Sequence, residues 1–455
     1  MFRKSKKMHF IGIGGIGMSG IAEILINMGY EVSGSDLRES GQTEHLRARG
    51  AAVFIGHSAS NIRDYSVVVT SSAISSDNPE LVEARKRRIP VIHRSEMLAE
   101  LVRLKHGIGV AGTHGKTTTS SMLAYVLYHG GINPTAVIGG KVLNFGSNAR
   151  VGQGEYMVFE ADESDGSFLN LLPSIAVVTN IDADHLDHYK YFEGLKDAFL
   201  SYINNIPFYG YSVLCIDDVT VREILPRVER PYLTYGMSED ALFRVTNVVS
   251  KNGRTSFTCH YNGDVVGDFE IGLIGVHNAL NALSVIAVAL DLGLDVKTIR
   301  EGLAGFKGVG RRCERIGEEK GILVLDDYGH HPTEIKATLD AVQSLGRRML
   351  VVFQPHRYTR TQFLWDEFGQ SLARADEIFL TEIYSAGESP IEGVSSELIA
   401  KAVNRHLGRE AEIIGRFEDI PARVLSKAKK GDIILTLGAG DIYKAGRMII
   451  EELKS

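Results

Sequence analysis

Cysteine is scarce: Cys215, Cys259 and Cys313 are all that 455 residues hold, and no two form a CxxC pair. That excludes a disulfide framework and a cysteine-rich zinc site, and it fits a reducing compartment. Proline is sparse too, at 11, so the chain is neither collagen-like nor low-complexity. No run of about 18 apolar residues occurs, and no membrane-spanning helix is expected. Nor is there an excess of positive charge: 50 Lys and Arg face 56 Asp and Glu, a net charge of −6. Bulk electrostatic binding of nucleic acid is disfavoured, which leaves room for local basic pockets. The basic start at 1–7 suggests a signal peptide, but 9–20 carries five glycines, continues as an amphipathic helix and offers no small-residue cleavage site. The expectation is a cytoplasmic chain without membrane insertion, acting as a monomer or homodimer.

Glycine is what the chain has in plenty, 48 residues. Glycine without proline points to tight turns where backbone approaches something closely. The length suggests about three domains. Across the first hundred residues, short apolar runs (9–13, 31–35, 52–55, 67–70, 91–92) alternate with helical patterns (18–28, 44–49, 79–87), which predicts a parallel sheet with crossover helices. A second block predicts strands at 107–111, 156–160 and 175–179 and helices at 117–128 and 278–292. Within it, 243–271 carries Asn-Gly at 252–253 and 262–263, the signal of hairpin turns. A third block, with strands at 322–326, 349–353, 377–381 and 433–437, is again α/β. Domain boundaries are placed near 104 and 313, giving 1–104, 105–313 and 314–455.

Eight motifs carry chemistry. Gly12-Ile-Gly14-Gly15-Ile-Gly17 follows a strand and opens a helix, and Asp36 ends the next strand. Such a loop can bring backbone to a diphosphate, and the acid can hold ribose hydroxyls. Alone it reads as a nicotinamide-dinucleotide site or a plain turn. Gly112-Thr113-His114-Gly115-Lys116-Thr117-Thr118 follows a strand and opens a helix. Its amides can cradle phosphates, Lys116 can neutralise their charge and Thr117 can ligate Mg²⁺. It is a variant phosphate loop, because the strict pattern wants glycine where Val110 stands. Glu160-Ala-Asp162-Glu163-Ser-Asp165 ends a strand, where clustered acids suit a cation. Thr179 to His188 places His185 at the same sheet edge, as a candidate metal or phosphate ligand. In Gly275-Val-His277-Asn278-Ala-Leu-Asn281, Asn278 is expected to cap the helix, or to contact adenine. Arg312, in Gly308-Val-Gly-Arg311-Arg312, could stabilise a transferring phosphoryl group or make a surface salt bridge. Asp326-Asp327-Tyr328 and Gln354-Pro-His356-Arg357-Tyr-Thr-Arg360 both follow strands, and the two arginines are spaced to grip a small carboxylate.

Together these describe an α/β chain of three domains: a Rossmann-like N-terminal domain, a central P-loop ATPase domain with a mixed sheet, and a C-terminal Rossmann-like domain. One phosphate loop, a second glycine cradle and a carboxylate grip suggest ATP-driven joining of two substrates. An oxidoreductase leaves the GKTT loop unexplained; a regulatory or transport ATPase leaves the first loop and the terminal arginines unexplained.

GIGGIGMSG, AGTHGKTT, EADESD, TNIDADHLDHY, GVHNALNA, DDYGHHP and PHRYTR, in that order, resemble the Mur ligases from residue 9 to the GAGD at 438–441. The resemblance implies UDP-sugar, ATP and amino-acid domains. It also implies an activity in which L-alanine is joined to UDP-N-acetylmuramate with ATP and Mg²⁺; a preformed peptide in place of alanine is the alternative within the family. It assigns Lys116 to the ATP phosphates, Thr117, Glu160 and His185 to Mg²⁺, and Asn278, Asn281, Arg312 and Asp327 to the surroundings of the nucleotide. It gives His356, Arg357 and Arg360 to alanine, and Gly15, Gly17, Asp36, His57 and Ser71 to the UDP part. Several members carry a carbamylated lysine where this chain reads Phe199-Leu200-Ser201, so none is expected here; the nearest lysine is Lys196.

Overall fold

The alternating pattern of the first hundred residues becomes five parallel strands: β1 (Lys7–Ile11), β2 (Glu31–Asp36), β3 (Ala52–Ile55), β4 (Val67–Thr70) and β5 (Val91–His93). The computed structural model describes residues 7–184 and 186–454. Strand order is β3-β2-β1-β4-β5, so the direction of winding reverses between β1 and β4. Ligands of open α/β sheets bind outside the strand C-termini at such a switch. The glycine loop after β1 and Ser71 after β4 both stand there. β1 ends two residues earlier than the hydropathy predicts. The chain turns at Gly12, with φ +79°, and the Gly12 and Ile13 amides both donate to the Ser35 carbonyl.

The second sheet holds ten strands: β6 (His106–Ala111), β7 (Thr135–Val142), β8 (Ser147–Arg150), β9 (Tyr156–Glu160), β10 (Ile175–Val178), β11 (Tyr211–Cys215), β12 (Tyr232–Gly236), β13 (Phe243–Lys251), β14 (Arg254–Tyr261) and β15 (Asp264–Ile271). Their order is β15-β14-β13-β12-β11-β10-β6-β9-β7-β8, with β7 and β8 antiparallel. The two Asn-Gly pairs make the turns of the β13 to β15 meander. All four residues have positive φ, which the mirror-image hairpin turn demands. β6 lies between β10 and β9. The phosphate loop, Glu160 and Thr179 therefore leave three adjacent parallel strands at one edge.

The third sheet runs β16 (Glu314–Glu319), β17 (Ile322–Asp327), β21 (Ile433–Leu437), β18 (Met349–Phe353), β19 (Glu377–Thr381) and β20 (Glu412–Ile414) across its width. Only β16 pairs antiparallel, with a bulge between Arg315 and Gly317. Apolar clusters cover both faces, one around Phe353, Phe368 and Leu435, the other around Phe379, Ile434 and Ile449.

The chain packs as two units. One gathers residues up to Thr246 with Thr258–Phe269 and Leu280–Lys307; the other gathers Asn247–Phe257, Glu270–Ala279 and residues from Gly308 onward. Within the first unit, the helix Ile16–Asn27 lies against β7 and β8, and Asn148 Nδ2 donates to the Ile16 carbonyl at 2.6 Å. A side chain at Gly20 would press on Asn148, Val137 and Ala149. One at Gly109 would meet the Tyr202 hydroxyl at 2.3 Å. These glycines serve packing. The abundance of glycine is thus partly a matter of packing within the fold, beside the tight turns that composition suggests. No described helix is long and apolar enough to cross a membrane.

Candidate active site

At the first glycine loop, Gly15 caps the helix Ile16–Asn27 with no side-chain hydrogen bond, and the first turn holds no acidic residue. Asp36 accepts from the Gly14 amide at 2.9 Å, so it shapes the loop. His57 Nδ1 pairs with Ser35 Oγ at 2.9 Å. Behind them lies a carboxylate that motif reading passes over. Glu80 is fully buried and accepts from Ser35 Oγ (2.5 Å), Asn61 Nδ2 (2.6 Å) and the Ser58 amide (3.2 Å), with His9 Nε2 at 3.3 Å. Burial opposes its ionisation, but His9, Ser35 and Asn61 together hold its carboxyl below the usual range. Ser71 supplies its carbonyl to the turn that ends at Ile74.

The phosphate loop is stitched from the neighbouring strand end. The Thr179 hydroxyl donates to the His114 carbonyl at 2.5 Å, and Asn180 Oδ1 accepts from the His114 amide at 2.8 Å. His114 Nε2 lies 3.0 Å from Asp182 Oδ2, and the Asp182 amide donates to Thr113 Oγ1 at 2.9 Å. Thr179 to Asp182 therefore fix the loop's shape, a role that spacing alone does not reveal. Gly115 has φ +85°, and a side chain there would lie 3.0 Å from Asn281 Oδ1, so glycine suits both the backbone conformation and the close approach.

Lys116 Nζ lies 2.9 Å from both oxygens of Glu163 and donates to the carbonyls of Gly112 (2.5 Å) and Thr113 (3.1 Å). Burial alone would lower its pKa, but Glu163 and Asp162 hold it above the usual lysine value. Asp162 answers in kind: against the effect of burial, Lys116 and Arg94 bring its carboxyl down to about 2. Thr117 Oγ1 donates to Glu160 at 3.0 Å, and Glu160 also accepts from Ser120 Oγ (3.3 Å) and the Gly139 amide (2.6 Å). Thr117 and Glu160 are thus brought together as expected. His185, the third expected ligand, lies outside the described residues. Lys196 is held by Glu193 and Glu223 at 2.9 and 2.8 Å and covers the Phe192 ring.

Asn278 corrects one expectation. The helix Val276–Asp291 opens two residues before it, so Asn278 sits inside the first turn and its side-chain Nδ2 donates to the Ile274 carbonyl at 2.8 Å. It is not the cap.

In the second unit, candidate residues gather at four neighbouring strand ends. Asp327, at the end of β17, accepts from the Cys313 amide (2.7 Å), the Gly329 amide (2.8 Å) and Thr338 Oγ1 (3.2 Å). Burial raises its carboxyl to about 6, although Arg312 pulls the other way. Arg312 lies over the Tyr328 ring and 3.8 Å from Glu334. Arg311 is the structural arginine, binding Asp326 and the carbonyls of Gly438 and Gly440. After β18, Gln354 bonds Asp441 and the Ile442 amide, which fastens the GAGD turn to the next strand.

His356 stacks on Tyr384 at 5.7 Å between centroids and accepts from Arg360 at 3.3 Å, Nη1 to Nδ1. Arg357 holds φ +72° at the start of the helix Tyr358–Ser371 and lies 3.8 Å from Glu388. The residues of the predicted grip are therefore together, on a helix start and not on a loose loop. Tyr384 and Glu388 complete the cluster and carry no motif signal of their own.

Burial pushes His356 down to about 4, helped by Arg360 and Arg357. Its folded value lies below the ordinary 6.5, so between about 4 and 6.5 the unfolded chain binds more protons and stability falls as pH drops through that window. His356→Gln is expected to lose that part of the acid sensitivity. Thermal melts of both proteins between pH 7 and pH 4.5 compare the slopes; equal slopes contradict the assignment.

Three family models match in chain order: "Mur ligase family, catalytic domain" at 7–106, "Mur ligase middle domain" at 110–289 and "Mur ligase, glutamate ligase domain" at 311–440. A Geotalea daltonii protein named UDP-N-acetylmuramate–L-alanine ligase is 54% identical over 100% of this chain and 99% of its own. The chain belongs to the Mur ligase family. A Myxococcus xanthus protein of the same name is 52% identical, across 100% of this Mur ligase and 96% of the relative. Among solved structures, a UDP-N-acetylmuramate–alanine ligase from Thermotoga maritima superposes with a TM-score of 0.85 at 30% identity, covering 98% of this chain and 99% of that one. A murein peptide ligase from Psychrobacter arcticus gives 0.74 at 25%, covering 99% of each. The fold is the three-domain α/β arrangement of Mur ligases, with ATP use expected of every member.

Proposed function

We propose that this Mur ligase joins L-alanine to the carboxylate of UDP-N-acetylmuramate with ATP, in the synthesis of the peptidoglycan precursor. The observation that carries this reading is full-length identity above half with relatives named for that reaction. Its domains are assigned as 1–104 for the UDP-sugar, 105–313 for ATP and 314–455 for the amino acid.

A carboxylate resists nucleophiles because of its negative charge. Its oxygen therefore attacks the γ-phosphorus of ATP, ADP leaves, and an acyl phosphate forms. The amine of alanine then attacks the acyl carbon and expels phosphate. Lys116 stabilises charge on the transferring group, and Glu163 with Asp162 keeps it protonated at any working pH. Thr117 Oγ1 and the Glu160 carboxylate are hard oxygen donors side by side at the phosphate loop, a set that fits Mg²⁺. Those two, with His185, are assigned to hold the ion, which when bound supplies charge neutralisation to the phosphates. Asn278, Asn281, Arg312 and Asp327 are assigned to the nucleotide. His57 and Ser71 are assigned to the UDP part, together with Gly15, Gly17 and Asp36.

The test is phosphate release from MgATP with UDP-N-acetylmuramate and either L-alanine, other amino acids or a preformed peptide. Release is expected to depend on L-alanine. Release indifferent to alanine, or driven only by the peptide, sinks the reading.

A further inference from the structure

The helix Tyr358–Ser371 begins at a residue that breaks two local rules. Arg357 stands at its cap position, with φ +72° and ψ +140°. That combination is nearly confined to glycine, because a side chain crowds the backbone there. The cap position itself calls for a short acceptor such as Ser or Asp, since the first amides of a helix have no partner within it. Arg357 offers only donors, sets a cation at the positive end of the helix and makes no side-chain cap bond.

Both faults are compensated from the loop after β19. Main chain holds the backbone: the Arg357 amide donates to the Tyr384 carbonyl and the Tyr384 amide donates to the Pro355 carbonyl, each at 2.8 Å. The loops after β18 and β19 thereby continue the parallel pairing of those strands. Glu388 supplies the missing cap. One of its oxygens accepts from the Thr359 amide at 3.1 Å and the other from the Thr359 hydroxyl at 2.7 Å. Burial opposes the charge on Glu388, but these bonds and Arg357 hold its carboxyl below the usual range. With both oxygens engaged, Glu388 faces the Arg357 guanidinium at 3.8 Å, too far for a hydrogen bond. Arg357 is balanced in charge and keeps its donors for a ligand. A chain that places a poor capping residue and corrects it from 29 positions beyond Thr359 is built around that residue's position, not around the helix.

We propose that residues 384–388 form a strap that holds Arg357 in its strained conformation for alanine binding, with Glu388 as the positioning residue. The proposal rests on the reading of His356, Arg357 and Arg360 as the alanine grip. It accounts for an arginine where glycine would sit without strain: the unusual backbone aims the guanidinium, and the strap keeps the backbone so. Tyr384 serves twice, because its ring stacks on His356 while its main chain fixes Arg357.

The test combines steady-state kinetics of the full chain with thermal melts. Glu388→Ala is expected to raise KM for L-alanine about 3–30-fold, the scale for losing a helix cap. KM for ATP and for UDP-N-acetylmuramate should stay within about twofold, and kcat at saturating alanine should fall by less than KM rises. Glu388→Gln keeps an acceptor for the Thr359 amide and recovers most of the loss. Thr359→Val removes one of the two bonds from the helix side and raises the same KM by a smaller factor. The strain has its own readout: Arg357→Gly is expected to melt above Arg357→Ala, because glycine accepts the positive φ. In the Glu388→Ala background that gap should shrink, because the released backbone relaxes. An unchanged KM for alanine in folded Glu388→Ala and Thr359→Val overturns the strap, as does a rise shared equally by all three substrates. A melting gap of the same size with and without Glu388 overturns it too. An unchanged KM for alanine in folded Arg357→Ala overturns the grip itself, an outcome kept distinct because the melting gap is measured without alanine.

Discussion

Lys116→Ala is expected to cut alanine-dependent phosphate release by roughly 10²–10³-fold or more, the scale for removing one preorganised charge-stabilising donor. The same substitution also strands acids. Glu163 is 1% exposed and takes its charge compensation from Lys116. Breaking a buried pair by deleting one partner costs on the order of 3–5 kcal/mol. Lost activity in the single variant therefore mixes chemistry with stability. The double variant Lys116→Ala/Glu163→Gln separates them: its melting temperature should recover most of the loss, and its activity should not. Recovery of activity in the double variant would mean that Lys116 serves the fold and not phosphoryl transfer.

Arg360→Ala is expected to raise KM for alanine about 10–100-fold, the loss of a charge-assisted bond to a carboxylate. Binding of UDP-N-acetylmuramate should be unaffected. Arg360 lies against His356, which is stacked on Tyr384, so the substitution also loosens the ring. Arg360→Lys keeps the charge but lacks the planar fork, and should recover only part of the affinity. Initial rates against alanine concentration settle the matter. An unchanged KM in a folded Arg360→Ala protein contradicts the grip.

These two sites were legible in the sequence for a local reason. A glycine-rich loop between an apolar run and a helix is written in consecutive residues, and so are the Asn-Gly turns that need positive φ. Arg94 and Asp162 are 68 positions apart, Lys116 and Glu163 are 47 apart, and Glu80 meets Ser35 across 45. Nothing in the spacing announces such pairs, because tertiary folding alone brings them together. Single elements blurred for other reasons. β16 reads Glu-Arg-Ile-Gly-Glu-Glu, an edge strand with little apolar alternation to detect. The helix starts at Val276 although Asn278 is the residue with a capping side chain, because in the fold its Nδ2 turns back to the Ile274 carbonyl. Gly109 lies within a strand, and it is glycine because Tyr202 stands over it. Composition reports that a side chain is missing, while only the packed structure reports what fills the space.

The central claim is that ATP activates the sugar carboxylate before alanine attacks it. Turnover of UDP-N-acetylmuramate labelled with ¹⁸O in its carboxylate, with MgATP and L-alanine, tests it directly. The released phosphate is expected to carry one labelled oxygen for each amide formed, because the attacking carboxylate oxygen leaves with the phosphoryl group. Unlabelled phosphate, released while the amide forms, would contradict it.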